Sequence, residues 1–228
     1  NTRKTTTPMT VIETVPDAPS LLAAAPASST QLDWTWSRGA RLCRLTGSAG
    51  HFRVYNAADN AVVVTSQPVA SYSRPAVGIN TVFGLRVSAI DDFGESPLTP
   101  PASAYTLAVA PTGLSVTSVS TGSAVLSWSS TNPGYTRFEV SISPDNFVNT
   151  VSSPASFASN LTGVTTGLLN LSPQTTYDVR VRAINGRDSD TATPGTNLTG
   201  FLSGSFTTLP AAPGSLVGAA AGSSSILW

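Results

Sequence analysis

Residues 171–185 read Leu171-Ser172-Pro173-Gln174-Thr175-Thr176-Tyr177-Asp178-Val179-Arg180-Val181-Arg182-Ala183-Ile184-Asn185, and this stretch decides the fold. From Tyr177 the side chains alternate. Tyr177, Val179, Val181 and Ala183 share one face, and Asp178, Arg180 and Arg182 share the other. That is the period-two pattern of a strand with one dry side and one wet side. The pattern recurs 94 residues earlier, with Phe83, Leu85, Val87 and Ala89 facing one way and Gly84, Arg86 and Ser88 the other. The chain therefore contains an internal repeat.

Other segments repeat in step with this one. Leu32-Asp33-Trp34-Thr35-Trp36 and Leu126-Ser127-Trp128 read as matching second strands, with Trp34 and Trp128 as the matching core tryptophans. Phe52-Arg53-Val54 aligns with Phe138-Glu139-Val140, and seven residues after each Phe comes Asp59-Asn60 or Asp145-Asn146, a turn signal. On that register, the stretch between Trp34 and Phe52 is eight residues longer than that between Trp128 and Phe138. Proline-containing junctions after β-rich runs recur near Pro16, Pro111 and Pro213. The expected organisation is the closing strand of a preceding module at 1–15, complete modules at 16–109 and 110–210, and the first two strands of a truncated third module at 211–228. On this reading the chain is an excerpt of a longer array, because a lone hairpin carrying Ile226, Leu227 and Trp228 is marginal in water.

The run Leu171-x-Pro173-x-Thr175-x-Tyr177-x-x-Arg180-Val181-x-Ala183-x-Asn185 resembles the E–F corner and strand F of a fibronectin type III domain. The resemblance implies an all-β fold, tandem seven-stranded immunoglobulin-like sandwiches of about 100 residues each. It also implies that the Tyr177 hydroxyl bonds back to nearby backbone and pins the corner. Phe83 stands at the matching place in the first module and has no hydroxyl. That corner is expected to be held by packing alone and to be weaker. Trp34, Trp128, Phe83 and Tyr177 are the expected structural core.

Twelve basic and twelve acidic residues give a formal net charge of zero, which argues against nucleic-acid or electrostatic membrane binding. No apolar run is long enough to span a bilayer. Charged residues make up 11% of the chain, about half the usual globular share of roughly 25%. A surface this uncharged favours self-association. Ser/Thr-rich secreted proteins share the composition, so both readings stand. Cys43 is the only cysteine and reads as a small hydrophobe, so no intrachain disulfide is possible.

Sites for chemistry are sparse. Arg38, Arg41 and Arg44 lie within seven residues, and guanidinium forks suit carboxylate or phosphate groups. They read either as a contact for an acidic glycan or a neighbouring subunit, or as a solvated loop whose arginines stack on Trp36 and the adjoining module. Gly186-Arg187-Asp188 is not the adhesive Arg-Gly-Asp order. Neither Asp188 with Asp190 nor Asp91 and Asp92 with Glu95 has the loop pattern of a calcium site. With one histidine, His51, and no nucleophile-elbow, zinc or phosphate-loop motif, the chain reads as non-catalytic, without cofactor or metal. Sequons at Asn160, Asn170 and Asn197 suit a secreted eukaryotic protein but arise easily in so Thr/Asn-rich a chain. One lysine against eleven arginines suits a bacterial origin.

The expected function is a non-catalytic structural segment of an extracellular or cell-surface tandem-repeat protein. It forms a semi-rigid rod that packs with copies of itself, or with neighbouring modules, into a fibre or surface layer. The alternatives are an adhesive module binding glycan or a surface protein through its loops, and a spacer in a secreted polysaccharide-degrading enzyme.

Overall fold

The computed structural model describes residues 14–39, 50–186, 198–214, 219–222 and 225–227. Cys43, Arg41, Arg44, Asp188, Asp190, Asn197, Trp228 and most of the expected N-terminal strand at 1–15 lie outside these residues. The chain divides into two compact units, Asn1–Leu107 and Ala108–Trp228.

The first unit contains β1 (Ser20–Pro26), β2 (Leu32–Ser37), β3 (His51–Asn56), β4 (Val62–Gln67), β5 (Ser71–Arg74), β6 (Val82–Asp91), β7 (Gly94–Glu95) and β8 (Ala102–Tyr105). Strands β1, β2 and β5 form one antiparallel sheet, with β2 central. The second sheet runs β4-β3-β6, with β7 and β8 both pairing with β6 as two halves of one broken edge strand. Between the sheets lie Leu32, Trp34, Trp36, Phe52, Val54 and Leu85, each buried.

The second unit repeats the plan with β9 (Thr112–Thr117), β10 (Ala124–Ser129), β11 (Phe138–Ser143), β12 (Ser152–Ala155), β13 (Thr165–Leu168), β14 (Thr176–Ala183) and β15 (Leu202–Thr207). Its sheets are ordered β13-β10-β9 and β12-β11-β14-β15. Leu126, Trp128, Phe138, Val140, Val179 and Val181 fill its interior. The alternation expected from Tyr177 onward holds residue by residue, with Tyr177, Val179, Val181 and Ala183 buried and the residues between them partly exposed. Later in the chain, β16 (Ala219–Gly222) and β17 (Ser225–Leu227) pair as an antiparallel hairpin.

One expected register is corrected. Trp36, not Trp34, occupies the place of Trp128. The Trp36 ring meets Phe52 edge-on at 5.3 Å, as Trp128 meets Phe138 at 5.4 Å. The Trp36 amide donates to Ala70 as the Trp128 amide donates to Val164. Trp34 takes the position of Leu126, two residues earlier, where it is fully buried and donates its indole N–H to the Ala102 carbonyl at 3.2 Å. Counting back from each tryptophan to Pro19 or Pro111 then gives 17 residues in both units, and the insertion before the third strand shrinks from eight residues to six. Sequence spacing alone pointed to the wrong tryptophan because alternate residues of β2 all face inward, so Trp34 and Trp36 fit the same pattern.

The corners also depart from expectation. In the second unit the Tyr177 hydroxyl accepts the Ser172 amide at 2.9 Å, the expected clamp, and its ring stacks on Phe206 at 5.9 Å. In the first unit Phe83 is only partly buried, packing edge-on against Trp34 at 6.1 Å and lying under the Arg74 guanidinium at 4.2 Å. Packing is not all that holds this corner. The buried Thr106 hydroxyl accepts the Thr81 amide at 2.9 Å and donates to the Gly78 carbonyl at 2.5 Å. Thr208 does the same in the second unit, accepting from Thr175 at 2.9 Å and donating to Ser172 at 2.7 Å. Each unit therefore closes its corner with a threonine, and the second adds the tyrosine.

Candidate interaction face on the second sandwich

Strand alternation sends Asp178, Arg180 and Arg182 to the outer face of the β12-β11-β14-β15 sheet, and pairing fixes what stands beside each. Arg182 faces Glu139 across β11, and Arg180 faces Ser141 on β11 and Ser203 on β15. Arg182 is satisfied. Its Nε and Nη2 both donate to Glu139 Oε2 at 2.6 Å.

Arg180 is not satisfied in this way. Its guanidinium carbon lies 4.0 Å from the centre of the Phe147 ring and 4.2 Å from that of Phe201, and its Nε is buried without a hydrogen-bond partner. Phe201 is shared with Arg182 at 4.5 Å, and Arg182 also approaches Phe157 at 5.7 Å. Two guanidiniums and three phenyl rings thus alternate across the face, each contact contributing about 0.5–1 kcal/mol at such half-exposed positions.

The loop that carries Phe147 is built to hold it. Asn146 and Phe147 both adopt left-handed backbone, with φ of 56° and 60°. For a bulky side chain this costs roughly 1–2 kcal/mol. The cost is offset by Asp145, whose carboxylate accepts the Ser143 hydroxyl at 2.6 Å and the Asn149 and Thr150 amides at 3.0 Å. Ser143, itself buried, accepts the Phe147 amide at 2.9 Å. The Ser143 bond, with the loop amides, holds the Asp145 carboxyl below its ordinary pKa.

The corresponding face of the first unit is closed by a different network. Glu95 accepts the Arg53 guanidinium at 2.7 Å, the Ser88 hydroxyl at 2.6 Å and the Tyr55 hydroxyl. Burial pushes the Glu95 carboxyl up, and the Ser88, Tyr55 and Arg53 contacts together outweigh it and bring the carboxyl below its usual range.

Of the three arginines singled out in the sequence, only Arg38 is described. It is exposed, donates to the Pro68 carbonyl at 3.2 Å and lies 5.7 Å from the Phe52 ring, so it folds onto its own sandwich and its ring contact is Phe52, not Trp36. His51 sits on β3 opposite Ile90. Among the described residues no group of three His, Cys, Asp or Glu side chains is placed to hold a metal ion. Asn160 and Asn170 are exposed in left-handed turns. A groove of about 500 Å³ opens beside the edge strands β12 and β13, lined by Ile142, Pro144, Pro154, Leu169 and Tyr177 among others.

The sequence reading missed the Arg180 cluster. It placed Arg180 and Arg182 on the wet face, but Phe147 and Phe201 sit at a loop tip and a strand entrance, where no periodicity marks them.

Fold and face together define a tandem of seven-stranded antiparallel β-sandwich modules with a guanidinium–aromatic outer surface on the second. Residues 109–197 match the family described as "Fibronectin type III domain". Among solved structures, the chain is similar to a two-domain fibronectin type III segment of chicken tenascin, at 18% identity and a TM-score of 0.53, covering 84% of this chain and all of that one. It also aligns with the FN1–FN3 domains of chicken CNTN1, at 19% identity and a TM-score of 0.35, over 85% of this chain and 68% of that one. No curated protein matches the chain. Modules of this kind are generally non-catalytic, and in tandem they are typical of structural or adhesion segments. Among the described residues no helix is long and apolar enough to cross a membrane.

Proposed function

We propose that this chain is a structural segment of an extracellular, surface-exposed tandem-repeat protein, a semi-rigid spacer with no catalytic role whose modules pack with copies of themselves into a fibre or surface layer. The observation that carries the reading is the bonding of the chain where one unit ends and the next begins. The Leu107 amide donates to Ser28 at 3.0 Å, within the first unit. The next residue, Ala108, donates to the Asn185 side chain, and Val109 donates to Asn132 Oδ1 at 2.8 Å, within the second. Asn132 returns a bond to the Val109 carbonyl at 2.7 Å. Each side of the junction is thus bonded into its own unit, and the connection is short, which supports the reading of a spacer.

The uncharged, Ser/Thr-rich surface supports lateral packing of copies, and one lysine against eleven arginines supports a bacterial source. Small-angle scattering and NMR relaxation test the spacer. Both units are expected to tumble with one correlation time, and Asn132→Ala with Asn185→Ala is expected to separate them. Independent tumbling of the native units would refute the stiff spacer. Sedimentation that remains monomeric up to millimolar concentration would refute the self-packing.

A further inference from the structure

We infer that Arg180, held against Phe147 and Phe201 on the outer face of the second sandwich, is a binding site for the carboxylate of an acidic saccharide of the uronic-acid type. This goes beyond the spacer role and does not depend on it.

The guanidinium lacks any hydrogen-bonding acceptor among the described residues, and its Nε is buried without a partner. Its neighbour Arg182 has taken Glu139, so on this strand Arg180 is the arginine left without a carboxylate partner among the described residues. Phenyl rings lie 4.0 and 4.2 Å from the guanidinium carbon, and with Nε buried the terminal Nη pair of this partly exposed side chain is the fork that matches a planar carboxylate. A left-handed Phe147 at the tip of a self-capped loop keeps one of these rings in place before any ligand arrives.

The surroundings select the ligand. Register places Ser203 beside Arg180 on β15, with Ser203 and Ser205 both exposed, so hydroxyl partners stand on that side of the fork, while Ser141 on the other side is buried. Phe201 is 39% exposed and offers a ring edge or face to sugar C–H groups. An acidic peptide finds less here. Strands β11 and β14 are interior to the sheet, so their backbone groups are already paired and a peptide main chain gains no ladder. A polysulfated chain is also disfavoured, because the carboxylates of Glu139 and Asp178 stand on the same face as Arg180 and Arg182.

The test titrates the full chain with tri-galacturonate while following the arginine Nε–Hε resonances by NMR. The Arg180 resonance is expected to shift with millimolar or tighter affinity, and neutral oligogalactose, triglutamate peptide and inorganic sulfate are each expected to bind at least tenfold more weakly. Arg180→Gln is expected to abolish the response. Phe201→Ala, at an exposed position that leaves the core intact, is expected to weaken it three- to tenfold, and Arg86→Gln in the first unit to leave it unchanged. No shift at Arg180, equal binding by Phe201→Ala, or tighter binding of triglutamate or sulfate would each overturn the proposal.

Discussion

Replacing Thr106 with Val keeps the shape of a fully buried side chain and removes only its hydroxyl. Two bonds disappear with it, the one from the Thr81 amide at 2.9 Å and the one to the Gly78 carbonyl at 2.5 Å. Each is worth about 1 kcal/mol net, and leaving the Thr81 amide without its partner adds roughly 1–2 kcal/mol, so the expected loss is about 3–4 kcal/mol. For a unit of this size that lowers Tm by roughly 12–30 °C. Thr208→Val removes the same pair of bonds in the second unit, but there the Tyr177 hydroxyl still holds Ser172. Its loss is expected to be smaller by about 1 kcal/mol, and Thr208→Val with Tyr177→Phe to exceed the sum of the two changes by at least about 0.5 kcal/mol, because both act on Ser172. Differential scanning calorimetry of the full chain, with hydrogen-exchange mass spectrometry assigning each transition to its unit, measures these values. A Thr106→Val loss below about 0.5 kcal/mol, or a Thr208→Val loss equal to it, would refute the threonine-clamp account.

The two buried tryptophans of β2 should separate by their indole nitrogens. Trp34→Phe strips the Ala102 carbonyl of its donor, whereas Trp36→Phe removes an N–H that has no partner, so urea denaturation should find Trp34→Phe costlier by roughly 1 kcal/mol. Because the folded-state pKa of Glu95 is lowered, its contribution to stability is present above the ordinary glutamate value and is lost as pH falls through the folded value. Thermal melts across the acid range should show the first unit losing stability, and Glu95→Gln should remove that part of the pH dependence; an unchanged slope in the variant would count against the network.

How far the chain was legible varies residue by residue. Period-two alternation at 177–183 predicted burial correctly, because in a sheet the side-chain period is fixed by backbone geometry and depends on nothing distant. The 94-residue repeat was equally local, a matter of comparing the chain with itself. Assigning the paired tryptophan failed because Trp34 and Trp36 share one face, and only the ring each meets across the core tells them apart. The threonine clamp was invisible because Thr106 and Gly78 lie 28 residues apart and neither carries a distinguishing pattern in so Thr-rich a chain.

By itself the sequence determined the strand faces, the repeat and the all-β class, each of which follows from spacing along the chain. Tertiary structure alone decided which tryptophan closes the first core, how its corner is held without a tyrosine, and that Phe147 and Phe201 converge on Arg180 from 33 residues before it and 21 after. Those contacts depend on chain closure across sheets and loops, and their energy is realised only when distant segments meet.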